Sequence, residues 1–309
     1  MSEQQYARDA YGEALIELGQ KNNNIVALDA DLASSTRTGR FGKKFPQRFF
    51  DFGVAEQNMM GVAAGLASCG KIPFVSTFAI FGSGRAWDQV RNTICYNKLN
   101  VKIVVTHAGI TVGPDGSSHQ AIEDVALMRA IANMTIVVPC DGPETKEAIF
   151  AAAEYPGPVY VRLGRAKIPT IEKKNGFKIG QARIITEGGD VAIIACGIMV
   201  KAAQDAAELL KNEGINASVI NMHTIRPIDK EVIIAYARKT KRIVTCEEHL
   251  THGGLASAVA EILAENIPTP MRRIGVKERF GQSGDPDELL KEYNLLPVDI
   301  AKACKELIS

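Results

Sequence analysis

The chain has 309 residues, 46% of them hydrophobic and 23% charged, and a formal net charge of +1. This is ordinary globular composition, and the near-neutral balance excludes a global field steering the chain to nucleic acid or an anionic membrane. The sequence holds no run of about 18 apolar residues, and Met1-Ser2-Glu3-Gln4-Gln5 is polar and acidic, so neither a membrane span nor a secretory signal is expected.

The predicted elements alternate strand and helix, the pattern of parallel α/β layers. Arg8–Lys21 has helical spacing through Ala10, Ala14, Leu15 and Leu18, and Ile25–Leu28 reads as a short buried strand. Glu56–Ser68 reads as a Gly- and Ala-rich helix. Gly61 and Gly65 on one face admit another helix, within the domain or across a subunit contact. Strands are expected at Ile72–Ser76, Val101–Val105, Thr135–Val138 and Val159–Val161. A helix over Glu144–Glu154 separates the last two, and Pro143 suits its first turn. Residues 166–189, with Lys167, Lys173, Lys174, Asn175, Gly176, Gly188 and Gly189, are polar and weakly periodic and read as a linker. Beyond it, strands at 191–195, 217–221, 242–246 and 271–274 alternate with helices at 199–213, 229–238 and 254–264. The expected division is a domain over 1–165, the linker, and a second domain over 190–309. Six cysteines, at 69, 95, 140, 196, 246 and 304, form no Cys-x-x-Cys pair. They read as reduced core residues of a cytoplasmic chain with no structural zinc.

Several segments can carry chemistry. Asp51-Phe52-Gly53-Val54-Ala55-Glu56 places a lone carboxylate at the start of the small-residue helix. A first-turn acid suits the helix dipole. A carboxyl withdrawn from water can also lend a proton to a ring nitrogen. Phe78 and Phe81 follow a strand, as core aromatics or as a stacking seat for a flat heteroaromatic ring. His107, Asp115 and His119 share a glycine-rich loop after Val101–Val105, at the strand end where α/β sites form. Histidines there can orient hydroxyls and relay protons near neutral pH, and their spacing fits no standard metal-ligand pattern. Arg165 ends Arg162-Leu163-Gly164-Arg165 and can clamp a phosphate with two donors.

These segments resemble the pyrimidine-binding domain of the transketolase family and of its relative deoxyxylulose-phosphate synthase. The resemblance runs from Arg8 through Phe280-Gly281-Gln282-Ser283-Gly284 to the region of Leu307. It implies two parallel-sheet α/β domains, a thiamine-diphosphate pyrimidine-binding domain followed by a transketolase C-terminal domain. It implies that Glu56 protonates the aminopyrimidine, that Phe78 and Phe81 seat it, and that Asp31 lies near the cofactor and a subunit contact. His107 and His119 are implied to hydrogen-bond the donor sugar, with Asp115 on an adjacent hydroxyl and Arg8, Ser35 and Arg165 on its phosphate. The sequence departs from the family at Gly84, where a tyrosine often stands three residues past the second phenylalanine, so the resemblance does not supply that wall of the ring pocket. Arg85-Ala86-Trp87-Asp88-Gln89 is closer to the synthase. Cys246-Glu247-Glu248-His249 through Gly254 matches a structural acidic turn, with no catalytic role implied.

The family's diphosphate and metal fingerprint, Gly-Asp-Gly followed by Asn-Asn, has no counterpart. Gly189-Asp190 is followed by Val191, and Asn216 by Ala217. The expectation is therefore the small, carboxy-terminal subunit of a split transketolase. It would pass a two-carbon ketol unit between sugar phosphates, from a ketose to an aldose. It would do so only with an N-terminal subunit that holds the diphosphate and a Mg2+ or Ca2+ ion, in an α2β2 assembly. The alternatives are a synthase-like or 2-oxoacid dehydrogenase β-type subunit, or a non-catalytic assembly scaffold; retention of Glu56 and both loop histidines weighs against the scaffold.

Overall fold

Short runs of Val, Ile and Ala, buried on both faces, build the strands, as parallel sheets covered by helices require. Ile25–Asp29 and Val191–Ala195 are buried at every position. The computed structural model describes residues 4–171 and 176–309; Met1-Ser2-Glu3, and Lys173, Lys174 and Asn175 of the expected linker, lie outside the described residues.

One sheet has seven strands. In spatial order they are Thr224–Arg226, Thr135–Val137, Val159–Arg162, Lys102–Val105, Ile72–Ser76, Ile25–Asp29 and Phe49–Asp51. All its pairings are parallel except that of Thr224–Arg226, which lies antiparallel on Thr135–Val137. A second sheet has five strands, in the order Met271–Val276, Ile243–Leu250, Val191–Ala195, Ala217–Asn221 and Arg183–Thr186, with the last antiparallel. Gln4–Tyr6 pairs antiparallel with Lys167–Pro169.

Helices Ala7–Lys21 and Gly142–Glu154 cover one face of the seven-stranded sheet, where Tyr11, Leu15 and Ile149 meet Phe74, Val104 and Val161. The opposite face meets helix Glu56–Ser68 through Met59, Met60 and Ala63, and this core continues into Ile194, Ile220, Ile233 and Val259 of the second half. Helices Met199–Asn212 and Pro297–Ile308 pack Val200, Leu210 and Ile300 on the outer face of the five-stranded sheet.

The sequence-level elements are present, with several additions. The stretch read as a linker carries two strands, Lys167–Pro169 and Arg183–Thr186, too short and polar to show a period. Thr224–Arg226, in the second half of the sequence, extends the first sheet, so that sheet does not end with the strands expected up to Val161. The strand expected at 242–246 continues to Leu250, and the acidic residues read as a turn are its end. The cysteines form no disulfide among the described residues, and five are buried while Cys69 is exposed, against the expected core place; among the described residues no helix is long and apolar enough to cross a membrane.

Candidate active site

The carboxyl ends of five neighbouring strands of the large sheet carry the candidate residues, the edge at which α/β proteins assemble their sites. Asp31 and Ser35 follow Ile25–Asp29; Glu56 follows Phe49–Asp51; Phe78 and Phe81 follow Ile72–Ser76. His107, Asp115 and His119 follow Lys102–Val105, and Arg165 follows Val159–Arg162. Phe78 and Thr106 extend their two strands by a parallel bridge, which fixes the aromatic seat beside the histidine loop.

Four rings form the centre. Phe78 and Phe81 stack at 6.1 Å with an interplanar angle of 15°. His107 stacks on Phe78 at 3.8 Å, and His119 stands edge-on to Phe81 at 5.4 Å. Glu56 opens its helix and is 1% exposed. Its Oε1 accepts a 2.8 Å hydrogen bond from Arg85 Nη1, while its buried Oε2 has no partner among the described residues. The Arg85 guanidinium lies 4.4 Å from the Phe81 ring centroid, so Glu56, Arg85 and Phe81 form one contact chain. A lone buried carboxylate oxygen is costly unless a ligand completes it.

The histidine loop is held from the second half of the chain. His107 sits at φ 58° with Nδ1 2.8 Å from Thr106 Oγ1, and His119 Nδ1 lies 3.0 Å from Ser118 Oγ. Burial, then the guanidinium charges of Arg8, Arg165 and Arg37, push the His107 imidazole down to about 3, so it is neutral near pH 7. Glu248 reaches in from the end of Ile243–Leu250 and accepts the Thr111 backbone N–H at 2.6 Å. Only glycine at 109 leaves room for it, since a Cβ there would lie 2.2 Å from Glu248 Cδ, on a backbone with φ +83°. Burial pushes the Glu248 carboxyl up to about 7. Gln120 Nε2 donates to the Gln282 carbonyl at 2.9 Å, and Gly116 packs on Ser283. The Phe280–Gly284 segment, part of the C-terminal resemblance, is therefore a brace for the loop. Asp115 is exposed on that loop.

Arg8 and Arg165 reach the same region. Arg8 Nη1 donates to the Ser35 carbonyl at 3.4 Å, its buried Nε has no partner among the described residues, and Arg165 Nη1 donates to the Val112 carbonyl at 2.6 Å. Burial and the neighbouring Arg37 charge push the Arg8 guanidinium down. Asp31 is exposed at φ 63° and its N–H donates to Asp51 Oδ1 at 3.1 Å; among the described residues no hydrogen bond joins it to the ring cluster.

Sequence reasoning missed three organising groups. Asp29 is fully buried and accepts from Thr36 and Thr38 hydroxyls, both at 2.6 Å, and from Leu32 N–H at 2.7 Å, fixing the turn that carries Asp31 and Ser35. Glu247 accepts from Leu255 and Ala256 N–H at 2.7 and 2.8 Å and caps the next helix, beside Glu248 on the loop. Arg162 pairs at 2.9 Å with the buried Asp124, a locking role distinct from that of Arg165 three residues on. Strand-end acids in apolar runs were the available signal for the first two.

The family model for the transketolase pyrimidine binding domain matches residues 3–170, and that for the transketolase C-terminal domain matches residues 180–300. A putative transketolase C-terminal section from Methanocaldococcus jannaschii is 53% identical over 97% of this chain and 95% of its own length. A 6-deoxy-6-sulfo-D-fructose transketolase subunit from a Clostridium species is 45% identical over 99% of this chain and 95% of its length. A solved structure described as a split gene transketolase, inactive beta4 tetramer, superposes with a TM-score of 0.92 at 51% identity, covering 98% of each chain. On these matches and the site just described, the chain belongs to the transketolase family.

Proposed function

We propose that the chain is the small subunit of a split transketolase, with residues 1–165 as its pyrimidine domain, 166–189 as linker and 190–309 as the C-terminal domain. It works with an N-terminal subunit that holds the diphosphate and a Mg2+ or Ca2+ ion, in a cytoplasmic α2β2 assembly. When bound, thiamine diphosphate supplies the carbon nucleophile that accepts a two-carbon ketol unit from a ketose phosphate and yields it to an aldose phosphate. The single observation that carries this reading is the buried Glu56 carboxyl, with one oxygen unpartnered among the described residues and the other joined through Arg85 to the Phe81 ring that stacks on Phe78. An aminopyrimidine offers what that seat lacks, a ring nitrogen for the oxygen and a flat face for the phenyl rings.

In this reading Glu56 holds the proton shared with the ring nitrogen, and Phe78 and Phe81 exclude water and fix the ring plane. His107, neutral, and His119 orient the sugar carbonyl and hydroxyls, and Asp115 takes an adjacent hydroxyl. Arg8, Ser35 and Arg165 receive the phosphate, and Asp31 stands toward the cofactor and the second subunit. In the test, Glu56→Ala is expected to cost about 10²–10⁴ in turnover of the assembled enzyme with folding preserved. Near-normal turnover would remove Glu56 from its role. Tight binding of thiamine diphosphate by this chain alone would refute the need for a partner.

A second reading is a deoxyxylulose-phosphate synthase-like subunit, favoured by Arg85-Ala86-Trp87-Asp88-Gln89. Turnover of pyruvate by the assembled pair would decide for it.

A further inference from the structure

Gly84 stands where the family often has a tyrosine, and its neighbour Arg85 contacts a ring of the seat. Gly84 is exposed, and a Cβ there would meet nothing within 4 Å among the described residues apart from its chain neighbours. The next residue, Arg85, stands at the rim of the seat. Arg85 folds its guanidinium against Phe81 at 4.4 Å and donates Nη1 to Glu56 Oε1 at 2.8 Å. Its backbone is pinned, because Gln57 Nε2, one residue past Glu56, donates to the Arg85 carbonyl at 3.1 Å. The segment over Phe81–Arg85 is a π-helical turn, which swings residue 85 toward Glu56.

We propose that Arg85 is a positioning residue for the cofactor ring: its guanidinium plane supplies the pocket wall that Gly84 lacks, and its charge pairs with one oxygen of Glu56 so that the other addresses the ring nitrogen. The proposal rests on the thiamine diphosphate reading above. The division of labour at Glu56 is visible in the structure. Oε1 is taken by Arg85, and Oε2 is buried and unpartnered among the described residues, so pairing with arginine and contact with a ring do not compete for one atom. The Arg85 side chain is 46% exposed, which places it at the rim of the seat rather than inside it. A planar cation suits both duties. It lies flat on an aromatic face, and it balances the negative charge left on Glu56 when the shared proton resides on the ring.

The test uses the chain assembled with its diphosphate-binding subunit, with thiamine diphosphate and Mg2+ as the probe. Two quantities are measured: the cofactor dissociation constant by calorimetry, and the exchange rate of the cofactor's thiazolium C2 proton by quenched-flow NMR. Arg85→Ala is expected to weaken binding and slow exchange, each about tenfold, the scale of one cation–aromatic contact or one charge-assisted hydrogen bond. Arg85→Lys keeps the charge without the plane, so it should restore most of the exchange rate while binding stays weak. Melting of each variant with the wild type checks that the half-exposed site tolerates the change. Arg85→Ala matching the wild type in both quantities would overturn the assignment. Tighter binding by Arg85→Ala would also overturn it, since the side chain would then be an obstruction rather than a wall. A wild-type complex that fails to bind thiamine diphosphate would overturn the underlying cofactor reading instead.

Discussion

Removing the Glu248 carboxyl tests whether the second half of the chain sets the geometry of the histidine loop. Its Oε1 is the partner of Thr111 N–H at 2.6 Å, and Thr111 is 2% exposed. Glu248→Ala strands that donor, at about 1–3 kcal/mol. It also removes buried methylene packing worth roughly 0.8 kcal/mol per group. A loss of about 2–4 kcal/mol follows, or about 3–6 °C in melting temperature for a chain of this size. Glu248→Gln keeps an acceptor and should recover most of it. The pH dependence separates the two variants further. Burial beside Asp124, only partly offset by Arg162, pushes the folded carboxyl up to about 7 from an ordinary 4.5. The folded state therefore binds the extra proton between those values, and the group's contribution is full below pH 4.5 and lost as pH rises through 7. Glu248→Gln, which cannot ionise, should gain on the wild type across that interval by up to about 1.4 kcal/mol per pH unit. Because the loop carries His107 and His119, Glu248→Ala should also raise KM for the donor sugar about tenfold, on the scale expected when positioning residues shift. The measurements are calorimetric melting from pH 5 to 8 and steady-state kinetics of the assembled enzyme. A Glu248→Ala protein with wild-type melting and wild-type KM would refute the bracing argument.

Four further outcomes follow from named contacts. Gly109→Ala should mimic Glu248→Ala in melting and KM, since its Cβ would lie 2.2 Å from Glu248 Cδ at φ +83°; tolerance of alanine there would contradict the packing. Lys102 is fully buried, donates to the Tyr155 and Gly157 carbonyls, and is pushed down to about 7 from 10.5 by burial. The unfolded chain takes that proton first, so stability should fall as pH drops from 10.5 toward 7; Lys102→Met should flatten this limb, read by melting across the range. His107 is pushed down to about 3 from 6.5, so the folded protein loses stability as pH falls between those values. No limb of the kcat profile near pH 6 should come from His107, and a His107→Asn profile that loses such a limb would contradict this. Asp29→Ala strands three donors around the Asp31–Ser35 turn and, on the proposed function, should raise KM for phosphorylated substrates more than it lowers kcat; an unchanged KM would detach that turn from the proposed phosphate site.

Much of the architecture was legible because parallel strands buried on both faces leave continuous Val/Ile runs, as at Ile25–Asp29 and Val191–Ala195. The candidate residues were legible through the family resemblance, each in a short segment at a strand end. The strand Thr224–Arg226 was not, because three residues show no period and its partner Thr135–Val137 is far away in sequence. The bond from Thr111 to Glu248 spans 137 residues and the pair of Arg85 with Glu56 spans 29, so neither leaves a local pattern. Glu248 sits in a stretch that reads as an acidic turn, and its burial on a strand end arises from tertiary packing. Arg85 was visible only as a marker of one relative, since an isolated arginine after glycines looks the same whether it faces water or folds back over a ring.

The antiparallel guest strand Thr224–Arg226 has a consequence for how this protein can be dissected. Arg226 is tied into the first sheet's surroundings by hydrogen bonds to the Arg129 and Ile131 carbonyls at 2.8 and 2.9 Å. Severing the polypeptide between the two halves would strip Thr135–Val137 of its outer neighbour and present a bare rim of backbone donors and acceptors, an invitation to edge-to-edge aggregation. The two halves therefore form one indivisible cassette, and the safe place for scissors or a fusion joint is outside the pair, never at the composition break that marks the seam.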